Sequence, residues 1–434
     1  HGALDAANTE TDKNYNIAIG TNALGGATHT TEYNVAIGHN ALVAQTGDNV
    51  KNTVIGGLAG DYILDGTENT IIGYSAGSAL RGPTDGVDRT HIAGNRCTFV
   101  GHAAGDNCAA SRNTIVGANA GDAVMTTAAV DNCVFGDTAG SALTTGPGNV
   151  LVGKSAGANM TTGDYNVAIG FEAADAMTGN SDYNIAIGHG ALGAEESGAS
   201  YCIAIGANAL VSQDSASVVN MAIGTNAGDE ISTGSANVLI GHEAGSALAD
   251  DSFNTALGYN ALKGATAGAG NTVLGAFAMD GACTGDNNVA VGQSALGAAA
   301  AAMLDNVAIG HQSFANLNDV DSDGNVAIGK DAGLLYTAGG SDGNLVQALN
   351  CVLVGKNSKT SLGTTANPAA NQIVIGYNAL GIGNNTIALG DTNIGAIKGQ
   401  VDFAAYSDRR IKRDITNDST GLAFIEKLQP VTYK

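Results

Sequence analysis

The chain has 434 residues, 63 of them glycine, 4 proline and none tryptophan, with 5% aromatics and a formal net charge of −22. Glycine this abundant without a G-X-Y period excludes collagen, and the apolar fraction, mostly Ala, Val and Ile, is too high for a disordered chain. The acidic balance excludes a nucleic-acid partner, which needs clustered Lys and Arg, and no run is long and apolar enough to predict membrane insertion.

Residues 1–15 read as a lead-in, and the start at His1 predicts a leader already removed or never present. From residue 16 one short motif recurs: NIAIGTNAL at 16–24, NVAIGHNAL at 34–42, NIAIGHGAL at 184–192 and NTALGYNAL at 254–262. Indexed on its glycine, from Gly20 to Gly390, it occurs 21 times, mostly 17 or 18 residues apart. Asn stands four before the glycine in 16 copies and Ala three after it in 18. Each copy predicts a β-branched strand, a glycine where backbones approach closely, a second short strand carrying the Ala, and a polar turn of eight or nine residues. A unit this short buries no core alone. Stacked units do, so the fold expected over residues 16–397 is an all-β, parallel β-roll or β-solenoid of about 21 coils, about 100 Å long at the ~4.8 Å strand spacing.

The columns this stack creates carry the candidate sites. The Asn column predicts a ladder of identical amides rather than a catalytic or ligand role. Tyr15, Tyr33, Tyr165, Tyr183 and Tyr201 each precede it, which predicts stacked aromatic ladders or a sugar-binding platform. His39, His102, His189, His242 and His311 follow repeat glycines on coils that do not adjoin, so no metal cluster is expected within one chain. Cys97, Cys108, Cys133, Cys202, Cys283 and Cys351 lack CxxC and zinc spacing; Cys97 and Cys108 could pair within one coil. Asp319, Asp321 and Asp323, with Gly324 behind them, have the D-x-D-x-D-G spacing of a calcium loop. Lys330 stands at the twelfth position in place of Glu, so this is no complete EF-hand. Two gaps are wide, Gly73 to Gly101 and Gly329 to Gly355. The first holds RGPTDGVDRTHIAGNR at 81–96, which reads either as a tolerated surface insertion or as a receptor-contacting loop.

Other solenoids fail on period. A hexapeptide helix needs an aliphatic at every sixth residue, but from Ile37 the sixth and twelfth are Val43 and Asn49. A Thr-x-Thr column and the calcium nonapeptide GGxGxD are both missing. The pattern N-[VIT]-[AVI]-[IVL]-G-x-x-A, repeated across 16–394, resembles the head of trimeric autotransporter adhesins and related phage fibres. That resemblance implies a left-handed parallel β-roll in which three chains share one core. The period here is longer, which leaves room for larger surface loops.

Composition changes near residue 398. Residues 1–397 carry 11 basic and 35 acidic side chains, whereas 398–434 carry 7 and 5, with helix formers that predict a short α-containing segment. Here Ser407, Asp408, Arg410 and Lys412, followed by Leu428, Pro430, Val431 and Tyr433, fall on S-D-x-R-x-K and L-x-P-V-x-Y. This resembles the opening of the endosialidase-type intramolecular chaperone found at the C-terminus of phage tail fibres and tailspikes. The resemblance implies assembly of three chains and self-cleavage beside Ser407 with Lys412 as the base, a pairing that suits a lysine of depressed pKa. Local chemistry alone offers a helix-capping Ser with Asp408 in the first turn. Only 27 residues follow Ser407, so the chaperone is expected to continue beyond Lys434. The expected function is a homotrimeric, structural and adhesive fibre on a virion surface or otherwise extracellular. It would bind a host-surface glycan or protein receptor and be non-enzymatic apart from that one cut. The alternatives are a bacterial cell-surface adhesin head and a glycan-cleaving tailspike, the last of which needs a carboxylate pair in a pocket.

Overall fold

A computed structural model of the chain describes residues 15–26, 31–45, 50–78, 94–194, 198–214, 219–266, 268–297, 302–317, 322–334, 347–361 and 368–397. The chain divides into two compact units, 1–391 and 392–434. The first is an all-β solenoid, and its described residues contain no helix. Its 21-stranded sheet has one three-residue strand for each repeat glycine, from Ile17–Ile19 to Ile387–Leu389. Every strand pairs parallel with the strand of the next coil, as in Ile185–Ile187, whose residues sit opposite Ile203, Ala204 and Ile205. The wide gaps do not interrupt the stack: Thr70 lies opposite Thr98 and Val326 opposite Val352. A second, two-stranded sheet pairs Ala348–Leu349 with Ala369–Ala370.

Val, Ile and Thr at the strand positions suit an extended, half-buried backbone. The middle residue of the strand points into the coil, and its neighbours point out. Ala36, Val54, Ile71, Phe99, Ile115 and Leu151 are buried, and so are the alanines three after the glycine, such as Ala41, Ala104 and Ala209. The repeat glycine is required twice over. At Gly206 φ is +136°, a region closed to other residues, and a Cβ there would run into the carbonyl of Gly224 in the next coil.

The Ala-bearing segment is not the second strand expected from the sequence but a tight arch. The second and fourth residues after the glycine are left-handed, as at Asn208 (φ 55°) and Leu210 (φ 50°), and a strand cannot contain them. The arches still hold each other coil to coil, with Leu42 N donating to Ala59 O at 3.0 Å and Leu192 N to Ala209 O at 3.0 Å. Left-handed backbone costs a non-glycine residue about 1–2 kcal/mol, so stacking, not local preference, fixes these conformations.

Candidate functional site

Of the five residues singled out for chemistry, four lie outside the described residues: Ser407, Lys412, Asp319 and Asp321. Asp323 is engaged in holding coils together. Its Oδ1 accepts a hydrogen bond from Leu304 N at 2.8 Å, and its carbonyl accepts one from Asn350 N at 3.0 Å. Among the described residues no three His, Cys, Asp or Glu side chains group to hold a metal. All six cysteines are free thiols. Cys97 and Cys108 both donate to Ala110 O, at 3.3 and 3.6 Å. Burial first, and the neighbouring Cys97 second, push the Cys108 thiol up to about 12, which makes it a poor nucleophile.

The Asn column is spent on structure. Asn237 Oδ1 accepts from the backbone N–H of Asn254 at 2.9 Å, while its Nδ2 donates to Asp251 O at 2.8 Å. The same pair of bonds recurs at Asn149, to Asn166 N and Gly163 O, both at 2.8 Å. The ladder expected from the sequence is therefore side chain to backbone first, with amide-to-amide contacts such as Asn306 Nδ2 to Asn288 Oδ1 at 3.1 Å alongside.

The aromatic column forms stacks. Tyr165, Tyr183 and Tyr201 lie with ring centroids 5.3 Å apart and planes within 16° of parallel, and Tyr15 stacks on Tyr33 at 4.9 Å. Tyr183 has both ring faces covered by its neighbours, so it shows solvent an edge and a hydroxyl. Sugar recognition by stacking needs a bare ring face, which this tyrosine lacks. The histidines behave alike: His102 stacks on Tyr74, His189 on Phe171 and His242 on Tyr259, each pair within 5.2–5.8 Å.

Two surfaces remain. The first is the outward face of the long sheet. Its third strand position is large and apolar in every coil: Ile19, Ile37, Ile55, Ile72, Val100, Val116, Phe135 and onward to Leu389. None of these side chains is buried in the single chain, and Phe135 is 54% exposed. Three residues along the strand by 21 strands across span about 1,000 Å² of sheet, of which the third-position row is the continuous apolar part, since the first position is Thr in six coils, Thr53, Thr70, Thr98, Thr114, Thr255 and Thr272.

The second surface is a charged interruption of the tyrosine column. In five successive coils the residue before the Asn column is Lys51, Glu68, Arg96, Arg112 and Asp131. Arg96 Nε donates to Glu68 Oε2 at 2.9 Å, and Arg112 grips Asp131 with two bonds at 2.6 and 2.9 Å. Both carboxyls are held below their usual range, first by the hydrogen bond from the arginine. A reading of this column alone, coil by coil, would have found the band; its members are too far apart in sequence to form a local motif. No protein-family model matches the chain, and no curated protein matches it.

Proposed function

We propose that the chain is the shaft of a homotrimeric attachment fibre, carried on a virion or otherwise outside the cell, in which three copies turn their sheet faces onto one shared core. The observation that carries this reading is the unbroken row of large apolar side chains at the third strand position, exposed or half-buried but nowhere buried from Ile19 to Leu389. Parallel sheets are ordinarily covered on both faces, and the arches and turns cover only the inner one. Rotation of three copies about the long axis would bury each row against the other two, and such a closed arrangement leaves no face bare. The described turns would then form the outside, where a host glycan or protein receptor would dock; residues 81–93 of the insertion singled out as a receptor-contacting loop lie outside the described residues. The assignment to a phage-type fibre rests on the resemblance around Ser407 and Lys412.

Light scattering on the purified protein is expected to give three chain masses. Ile187→Asp with Ile205→Asp, two adjacent charges on the sheet face, is expected to yield monomers or aggregates. A wild-type chain that is folded and monomeric at micromolar concentration would sink the reading.

A further inference from the structure

Arg96 and Arg112 are neighbours on adjacent coils, since Arg112 N donates to Asn95 O at 2.8 Å and strand Thr98–Val100 pairs in register with Thr114–Val116. Two cations side by side repel, and here each is drawn off to its own carboxylate in the opposite direction along the stack, Arg96 toward Glu68 and Arg112 toward Asp131. Between them lies a recess of about 180 Å³ lined by Thr67, Asn95, Arg96, Ser111 and Arg112.

The hydrogen bonds inside the recess consume its strongest acceptor. Asn95 Oδ1 accepts from Thr67 N at 2.7 Å and from Thr67 Oγ1 at 3.1 Å, and Ser111 Oγ accepts from Asn95 N at 3.1 Å. The N–H and O–H groups left without a partner among the described residues are Asn95 Nδ2, the Ser111 hydroxyl, the terminal nitrogens of Arg96 and Nη1 of Arg112. A recess lined by two arginines, each with guanidinium N–H groups to spare beside its carboxylate, and by two further free donors suits an oxyanion, which accepts only and prefers the planar fork of arginine. The chain as a whole is strongly acidic, so long-range attraction would not bring an anion here. Among the described residues of this column the local charges, Lys51, Arg96 and Arg112 against Glu68 and Asp131, favour one.

We propose that this recess binds the carboxylate or sulfate group of an acidic saccharide, held between Arg96 and Arg112 with Asn95 and Ser111 donating from the floor. The oxyanion chemistry stands on this geometry; the saccharide, and any part in attachment, rests on the function proposed above.

The test is calorimetric titration of the intact protein with methyl glucuronide, methyl glucose 6-sulfate, inorganic sulfate and neutral methyl glucoside. At least one charged sugar is expected to bind about tenfold or more tightly than the neutral one, weakening as salt is raised. The sugar that binds identifies the group as carboxylate or sulfate. Arg96→Gln and Arg112→Gln are each expected to weaken it about tenfold while leaving the melting temperature near wild type, because both side chains are at least half exposed. Equal binding of charged and neutral sugars, or unchanged binding by both variants, would overturn the site. Inorganic sulfate binding as tightly as the sugar sulfate would overturn the saccharide. Adsorption to host cells is measured separately: if the variants lose the sugar yet adsorb normally, the site stands and its part in attachment falls.

Discussion

In the coils at Ala186 and Ala204 the strand gives the interior only a methyl group, and Leu192 and Leu210, fourth after the glycine, fill the rest. In the coils at Phe99, Ile115 and Leu151 the strand supplies the bulk, and Gly105, Gly121 and Gly157 stand where those leucines stood. The exchange is steric. A Cβ on Gly105 would strike the Phe99 ring, and one on Gly157 would strike the Leu151 methyls. Where small meets small, other side chains lean in: a Cβ on Gly228, in the coil of Ala222, would meet Leu239 and Leu210 from the two adjacent coils and Ile231 from its own. What is conserved from coil to coil is filled volume rather than residue type, as close packing demands.

Three substitutions test this difference, each followed by denaturant midpoint on the assembled protein. Leu192→Ala should have the largest effect, a loss of about 2–5 kcal/mol, because in an alanine-type coil no strand side chain can close the cavity. A loss under about 1 kcal/mol would mean that neighbouring coils collapse freely and that volume is not conserved. Next, Ile115→Ala should cost about 2–5 kcal/mol. Gly121→Leu should cost about 1–3 kcal/mol by overpacking against Ile115 and Met125, plus about 1–2 for a left-handed leucine. Together they convert one coil type into the other, so the double variant should be more stable than the sum of the single losses by at least about 1 kcal/mol. Strict additivity would break the comparison.

The smallest effect concerns the Asn ladder, where Cys97, Cys202 and Cys351 replace asparagine. Cys97 N still donates to Asn69 Oδ1 at 2.9 Å, and its thiol stands in for the amide donor at Ala110 O, but it offers no oxygen to Asn113 N in the next coil. Cys97→Asn should restore that acceptor and raise stability by about 0.5–1.5 kcal/mol. A destabilised variant would show that the pocket has been shaped to sulfur.

Much of the architecture was legible in the sequence because it depends on period. One glycine, one preceding Asn and one following Ala, recurring every 17 or 18 residues, fix strand position and parallel register, since each coil must meet its neighbours in the same way. The stacked tyrosines followed from the same logic. The Ala segment did not. A leucine such as Leu192 gives no local sign that it will be left-handed at φ 54°; it is held there by the hydrogen bond to Ala209 and by the interior volume it fills. Nor could the sequence say which strand residues face inward, because Ile187 is as apolar as buried Ala186 and only closure of the coil separates them. The recess between Arg96 and Arg112 belongs to the same class. Sequence places the two arginines 16 residues apart, and tertiary structure makes them neighbours and sends each to a different carboxylate. Periodicity is a property of the chain, and it determined the stack. Handed arches, shared volume and side chains meeting across coils arise only once the stack has closed.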